Sequence, residues 1–240
     1  PWSALMLGCK QVLPHRFMNP ERLVRLMADE KVTLSAGVPT IWQGVKSAIE
    51  ANPNAYDLSS LERLTCGGSA PPPSLIRWYW DVLGVEMIQG WGMTETSPLA
   101  TLSRRVMKRS HLGMTLDQQF DNVAKAGQLI PGLELDIFDE EFNRVPHDGE
   151  SVGEILVRGP WICSEYFNDP QPEKFHGDWL ITGDVGKIDP EEYLIISDRS
   201  KDLVKSGGEW ISSVDLENHI VAMDGIVQAC VVAHPHPRWD

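Results

Sequence analysis

Along the first hundred residues, apolar positions recur at helical spacing in three stretches, with short apolar runs of strand length between them. Leu23, Leu26 and Met27 share one helical face, in a segment that Asn19 can cap and Pro20 can open. Residues 32–36 read as a short buried strand, and Pro39 opens a second helix that turns Trp42, Val45 and Ile49 inward. Residues 61–66 are a strand running into Gly67-Gly68-Ser69-Ala70. Residues 73–83 are a third helix closed by Gly84, and residues 85–89 a strand that leads into Gly90. Strands and helices in alternation, joined by short turns, predict a mainly parallel sheet covered by helices. Both glycine turns then lie at the carboxyl ends of strands, where open α/β sheets bind ligands.

The pattern changes after residue 126. Residues 133–138, 153–158 and 193–197 are short strands separated by turns such as Asp148-Gly149 and Asp189-Pro190, which reads as a smaller, more antiparallel β unit. Residues 103–125 are polar and weakly periodic, and are expected to form a long surface connection with some helix. A last helix starts at Ser212 with Asp215 as its capping-box partner, and residues 226–233 are the strand after it. The expected fold is therefore α/β, a mainly parallel sheet with covering helices plus a small β subdomain, followed by the start of a mobile α+β C-terminal domain. The boundaries are 1–126 for the α/β part, 127–199 for the β-rich subdomain of the same domain, and 200–240 for a hinge and an incomplete C-terminal domain. Pro1 and Asp240 both read as internal, so the 240 residues are expected to be a piece of a longer protein.

Composition narrows the function. A net charge of −13 argues against non-specific DNA or RNA binding, which takes clustered Lys and Arg. It leaves room for a nucleotide held locally by backbone N–H groups and Mg²⁺. No apolar run approaches the ~18 residues needed to cross a bilayer, and no transmembrane segment is expected. Cys9, Cys66, Cys163 and Cys230 are widely spaced with no CxxC, which reads as free thiols in a reducing cytoplasm. His234-Pro235-His236-Pro237 would aim its imidazoles apart and is assigned no metal.

The candidate chemistry sits in four places. Gly90-Trp91-Gly92-Met93-Thr94-Glu95-Thr96 puts a flat ring, hydroxyls and a carboxylate in what reads as a loop kept narrow by two glycines. A ring can stack on a base, a hydroxyl can donate to a phosphate, and a carboxylate can hold Mg²⁺. Gly67-Gly68-Ser69 allows close backbone approach, although no Walker loop occurs in the chain. Thr182-Gly183-Asp184 reads as a tight glycine turn whose carboxylate can accept from both hydroxyls of a ribose. Asp198-Arg199-Ser200-Lys201-Asp202, followed by Lys205-Ser206-Gly207-Gly208-Glu209-Trp210, joins an arginine that can fork to oxygen with a polar segment able to swing.

In order and spacing these stretches resemble the acyl-adenylate-forming (AMP-binding) enzymes, most of all the fatty-acyl-CoA synthetase branch with its medium-chain, long-chain and 3-methylmercaptopropionyl-CoA ligase members. The resemblance covers essentially all 240 residues and includes Ala36-Gly37-Val38-Pro39-Thr40-Ile41-Trp42. It implies a cytoplasmic ligase that activates a fatty or other aliphatic carboxylic acid with ATP and Mg²⁺ to an acyl-adenylate, then to an acyl-CoA thioester with coenzyme A. It further implies that residues 1–199 belong to a large adenylate-binding domain. By the resemblance, Trp91 stacks on adenine, and Gly67, Gly68 and Ser69 line the base pocket with Gly90, Gly92 and Met93 nearby. Thr94 holds the α-phosphate and Glu95 the Mg²⁺, while Asp184 binds the ribose with Arg199 beside it. Lys201 is the hinge, and Gly208 and Glu209 belong to the loop that serves thioester formation. The partners are then a small carboxylic acid, ATP and CoA, with no nucleic acid, and a homodimer is one allowed assembly. Two other readings stay open: adenylation followed by transfer to a carrier protein or another acceptor, or a non-catalytic nucleotide-binding remnant. The family's phosphate loop and adenylation lysine fall outside residues 1–240, so this piece alone is expected not to complete adenylation. Glu165 stands where the family often has glycine, which puts that turn in question.

Overall fold

In the computed structural model, backbone structure is described for residues 2–16, 18–200, 204–206, 209–213, 216–217, 220, 223, 225–226, 229–232 and 234. The chain falls into two compact units, Pro1–Gln89 with Arg104–Ala124, and Gly90–Ser103 with Lys125–Asp240.

The first unit begins with helix α1 (Trp2–Met6) and helix α2 (Pro20–Asp29). The Asn19 side chain accepts hydrogen bonds from the N–H groups of Glu21 and Arg22, which caps α2 as its sequence requires. Leu23, Val24, Met27 and Ala28 form the buried face, while Leu26 is only half-buried. Strand β1 (Leu34–Gly37), helix α3 (Pro39–Ala51), strand β2 (Arg63–Cys66), helix α4 (Pro73–Leu83) and strand β3 (Glu86–Trp91) follow. Pairing of β1 with β2 and of β2 with β3 is parallel. Helices α3 and α4 pack into one core on the same face of the sheet, the arrangement that crossovers of one hand between neighbouring parallel strands produce. Leu64, Cys66 and Met87 point to that face and meet Trp42, Val45, Ile76 and Tyr79 in one core. Two hydrogen bonds fix the largest rings there: Trp42 Nε1 donates to the Thr65 carbonyl at 3.1 Å, and the Tyr79 hydroxyl donates to the Trp42 carbonyl at 2.7 Å. Strand β1 is less buried than its sequence predicts, with Leu34 and Ala36 exposed on the face opposite the helices.

Residues 103–125 are more than a surface connection. They carry a short 3-10 turn and helix α5 (Leu116–Ala124), and Phe120 and Val123 enter the first core. The weak periodicity has a physical cause: the face that packs inward includes polar groups satisfied locally. Gln119 donates to the His111 carbonyl at 2.8 Å and accepts from Arg105, whose guanidinium lies 4.2 Å from the centre of the Trp80 ring.

The second unit holds strands β4 (Thr101–Ser103) and β5 (Gln128–Leu129), which pair antiparallel. It also holds an antiparallel sheet of β6 (Glu134–Phe138), β7 (Gly153–Arg158), β8 (Phe175–His176), β9 (Trp179–Ile188) and β10 (Leu194–Arg199). The order is β10-β9-β7-β6, with β8 paired to β9. Ile137, Ile155, Val157, Leu180 and Leu194 form its core. A two-stranded ladder of β11 (Val204–Ser206) and β12 (Glu209–Ile211) follows. Past it, the Ser212 hydroxyl donates to the Ser197 carbonyl at 2.6 Å. The buried Asp198 carboxylate accepts from both the N–H and the hydroxyl of Ser213. The capping partner Asp215 and part of the expected strand over 226–233 lie outside the described residues. The architecture is α/β.

Candidate functional site

Strand β3 carries Gly90 and Trp91 as its last two residues, so both belong to a strand rather than to the narrow loop the two glycines suggested. The turn proper begins at Gly92. A Cβ there would stand 2.0 Å from the Pro98 carbonyl oxygen and 2.7 Å from the Thr96 hydroxyl, so only glycine lets the chain double back this tightly. Residues 94–96 form one 3-10 turn. The fully buried Thr96 hydroxyl accepts from the Met93 N–H at 2.9 Å and lies 2.8 Å from the Pro98 carbonyl, which pins the turn. Thr94 stands exposed on it, with Met93 and Glu95 half-buried.

Asp184 does not sit in a tight turn. It lies inside the ten-residue strand β9, at a bulge where Gly183 takes φ 75°. Glu154 holds that bulge: one oxygen accepts from the Gly183 N–H at 3.0 Å and the other from the Ser200 hydroxyl at 2.7 Å. The bulge aims the Asp184 side chain, 14% exposed, at the end of β3. There the Trp91 Nε1–H donates to Asp184 Oδ2 at 2.7 Å, across 93 residues of sequence. Arg199, opposite Asp184 in the β9–β10 register, places its Nε 3.4 Å from Oδ1. The indole itself is 8% exposed and packs in the core of the second unit, so a base could meet only the small part of the ring left uncovered.

Glu95 has one partner that the sequence reasoning missed. The Tyr166 hydroxyl donates to Glu95 Oε1 at 2.8 Å. Burial, together with the Glu95 carboxylate, pushes the Tyr166 phenol up to about 12, so it stands as a neutral donor across the physiological range. The Cys163 N–H also donates to the Glu95 carbonyl at 2.8 Å. The only signal in the sequence was the Glu165 anomaly. In that turn Asn168, not Glu165, takes the left-handed conformation, at φ 55°. Glycine is therefore not required at position 165.

The structure thus brings Trp91, Asp184 and Arg199 into contact, with Met93, Thr94 and Glu95 on the turn that follows Trp91. Gly67, Gly68 and Ser69 belong to the first unit. They leave the end of β2 with Gly68 at φ 85°, and α4 begins at Pro73, where the sequence predicts it. Glu209 opens β12 opposite Ser206. Lys201 and Gly208, with Gly207, lie outside the described residues. Among the described residues, no group of three or more His, Cys, Asp or Glu side chains could cage a metal ion. Glu95 Oε2 accepts no hydrogen bond from any of them. A single open carboxylate oxygen fits Mg²⁺, which binds one or two carboxylates and takes the rest of its shell from phosphates and water.

A family model described as AMP-binding enzyme matches residues 1–167. The chain is 42% identical over 240 residues to a 3-methylmercaptopropionyl-CoA ligase of Ruegeria lacuscaerulensis, covering 100% of this chain and 44% of that protein. It is 40% identical to a medium-chain-fatty-acid–CoA ligase of Ectopseudomonas oleovorans, with 100% and 43% covered. It is 42% identical to a long-chain-fatty-acid–CoA ligase of Thermus thermophilus, with 100% and 44% covered. The chain spans less than half the length of these curated relatives. Among solved structures, an anthranilate CoA ligase in complex with anthranoyl-AMP superposes with a TM-score of 0.78 at 25% identity, over 94% of this chain and 41% of that one. An o-succinylbenzoate CoA synthetase from Bacillus subtilis, bound to its acyl-adenylate intermediate, gives 0.80 at 24% identity over 99% and 45%, a likeness of fold alone.

Proposed function

The chain belongs to the AMP-binding enzyme family, and on that premise we propose that the protein containing it is an acid–thiol ligase that forms AMP. A carboxylate oxygen of a fatty or other aliphatic acid attacks the α-phosphorus of ATP, and the bond to the β-phosphate oxygen breaks to release pyrophosphate. The thiol sulfur of coenzyme A then attacks the acyl carbon and AMP leaves. The first step matters because a carboxylate is a poor electrophile until its oxygen becomes part of a good leaving group.

The observation that carries this reading is the convergence of Trp91 and Arg199 on Asp184 beside the turn that bears Thr94 and Glu95. A carboxylate has about four lone-pair sites. With the indole N–H donating to Oδ2 and the Arg199 guanidinium paired 3.4 Å from Oδ1, Asp184 keeps capacity for both hydroxyls of a ribose, and its orientation is fixed beforehand. Thr94 is exposed and free to reach a phosphate, and Glu95 is the residue that would hold Mg²⁺. The chemistry a bound Mg²⁺ supplies is neutralisation of the charge that builds on the phosphate oxygens. Residues 200–240 are read as the hinge and first part of a C-terminal domain, with Lys201 as pivot and Gly208 and Glu209 serving the thioester step. The cytoplasmic placement rests on four cysteines that form no disulfide.

The test is carried out on the full-length protein with straight-chain and thioether acids of graded length. ATP–pyrophosphate exchange that depends on the acid, followed by CoA thioester formation, is expected. Exchange without any thioester to free CoA would move the reading to another acceptor, and no exchange with any acid would remove it.

A further inference from the structure

We propose that Tyr166 is a positioning residue for Glu95, holding its carboxylate so that the second oxygen faces the divalent cation of a metal–nucleotide; this rests on the reading of Glu95 as the residue that takes the cation. The contact is one of two made to Glu95 by the same segment. The Tyr166 hydroxyl takes Oε1 at 2.8 Å and the Cys163 N–H takes the backbone carbonyl at 2.8 Å. Side chain and backbone of one residue are thereby fastened to a single strap.

The strap is itself anchored. Ile162 N–H turns back to the Gly159 carbonyl at 3.1 Å, and Trp161 and Ile162 pack against the core of the second unit. The Tyr166 ring lies 6.2 Å from the Phe175 ring, at 58° to it. On the other side, the turn that carries Glu95 is pinned by the buried Thr96 hydroxyl. A glutamate has three rotatable side-chain torsions, and a cation that must order them itself binds more weakly than one that finds them ordered.

Two effects oppose each other. A donor on Oε1 draws charge from the carboxylate and weakens it as a ligand, whereas fixing its orientation strengthens it. Removing such outer partners of metal ligands typically costs about 10- to 100-fold in metal affinity, so orientation outweighs charge withdrawal. The cysteine N–H tie remains when the hydroxyl is removed, which isolates the carboxylate's own orientation.

The experiment uses the full-length protein as wild type, Tyr166→Phe, Glu95→Gln and the double variant. The affinity of preformed Mn²⁺·α,β-methylene-ATP is measured by calorimetry beside that of the metal-free analogue in EDTA. Tyr166→Phe is expected to weaken the metal complex about tenfold, to leave the metal-free analogue unchanged, and to add nothing in the Glu95→Gln background. The melting temperature should fall by no more than about 4 °C. Unchanged affinity for the metal complex, or equal weakening of both forms, overturns the proposal, as does the same loss with and without Glu95. A wild-type protein that binds the analogue equally with and without metal overturns the reading of Glu95 and this proposal with it. Normal metal dependence in wild type together with an unaffected Tyr166→Phe overturns this proposal alone.

Discussion

At the scale of a single residue, Asp184 is the acid on which the proposed ribose contact rests. It is the only described acid that meets both an indole N–H and an arginine: the indole donates to its carboxylate, 14% exposed, and the Arg199 guanidinium pairs with it. Asp184→Asn keeps the shape and an acceptor for Trp91 but removes the charge. Hydrogen bonds to a charged group contribute about 1.5–3 kcal/mol, so AMP affinity should fall about 10- to 100-fold in the full-length protein. Calorimetric titration with AMP checks this, and an unchanged affinity would exclude Asp184 from the ribose. Gly92→Ala is a harsher change, because the new methyl meets a backbone carbonyl that cannot step aside. It should cost about 3 kcal/mol, read as a lower urea midpoint.

The sequence was informative about residue types here and silent about their surroundings. Trp91, Glu95 and Asp184 could be picked out because each brings chemistry that its neighbours lack. The donor on Glu95 could not, because Tyr166 lies 71 residues away in a stretch with no periodic pattern. Gly183 was read as a turn glycine for a similar reason. A bulge inside a long strand and a turn between two short ones look alike until the partner strand is known.

Elements fared better where their ends carry chemistry. Helix α4 runs from Pro73 to Leu83 with Gly84 at φ 66°, as proline at its start and glycine past its end require. Helix α2 has its Asn19 cap. Asn19→Ala should therefore lower stability by about 1 kcal/mol, and Tyr79→Phe, which leaves the Trp42 carbonyl without its buried donor, by about 1 kcal/mol. Urea titrations of each variant test the pair, and values near zero would mean that cap or hydroxyl is replaced by water. Helix α5 was underestimated because Gln119 and Asn122 are among its buried residues. Hydropathy alone reads such positions as solvent-facing, whereas burial of an amide is tolerated once its hydrogen bonds are made. Strand β1 was overestimated for the opposite reason: apolar content predicts a place that is covered, and Leu34 stays 49% exposed.

Across the whole molecule, burial of weak acids sets a response to alkali. The Cys66 thiol, 1% exposed, is pushed up to about 12 by burial, from 9.0. Burial, with the charges of Asp189 and Glu191, likewise raises Tyr193 from 10.0 to about 12, and burial raises Tyr79. Each group is neutral in the folded protein at a pH where the unfolded chain would release its proton. Their contribution is thus complete below pH 9 and is lost as pH climbs from 9 towards 12. The urea midpoint should be lower at pH 10.5 than at pH 8, and a midpoint that does not move would show that these groups titrate alike in both states. No such reasoning was open from sequence, because a cysteine or tyrosine carries no mark of its depth.

The hydrogen bonds from Ser212 to Ser197 and from Ser213 to Asp198 have a mechanical consequence. They tie Ser212 and Ser213 back to the end of β10. A bond rotated between two tied points of a chain carries nothing past the second of them. If a rotation about Lys201 is to reach beyond residue 213, as the proposed function has it, these three contacts have to be released first.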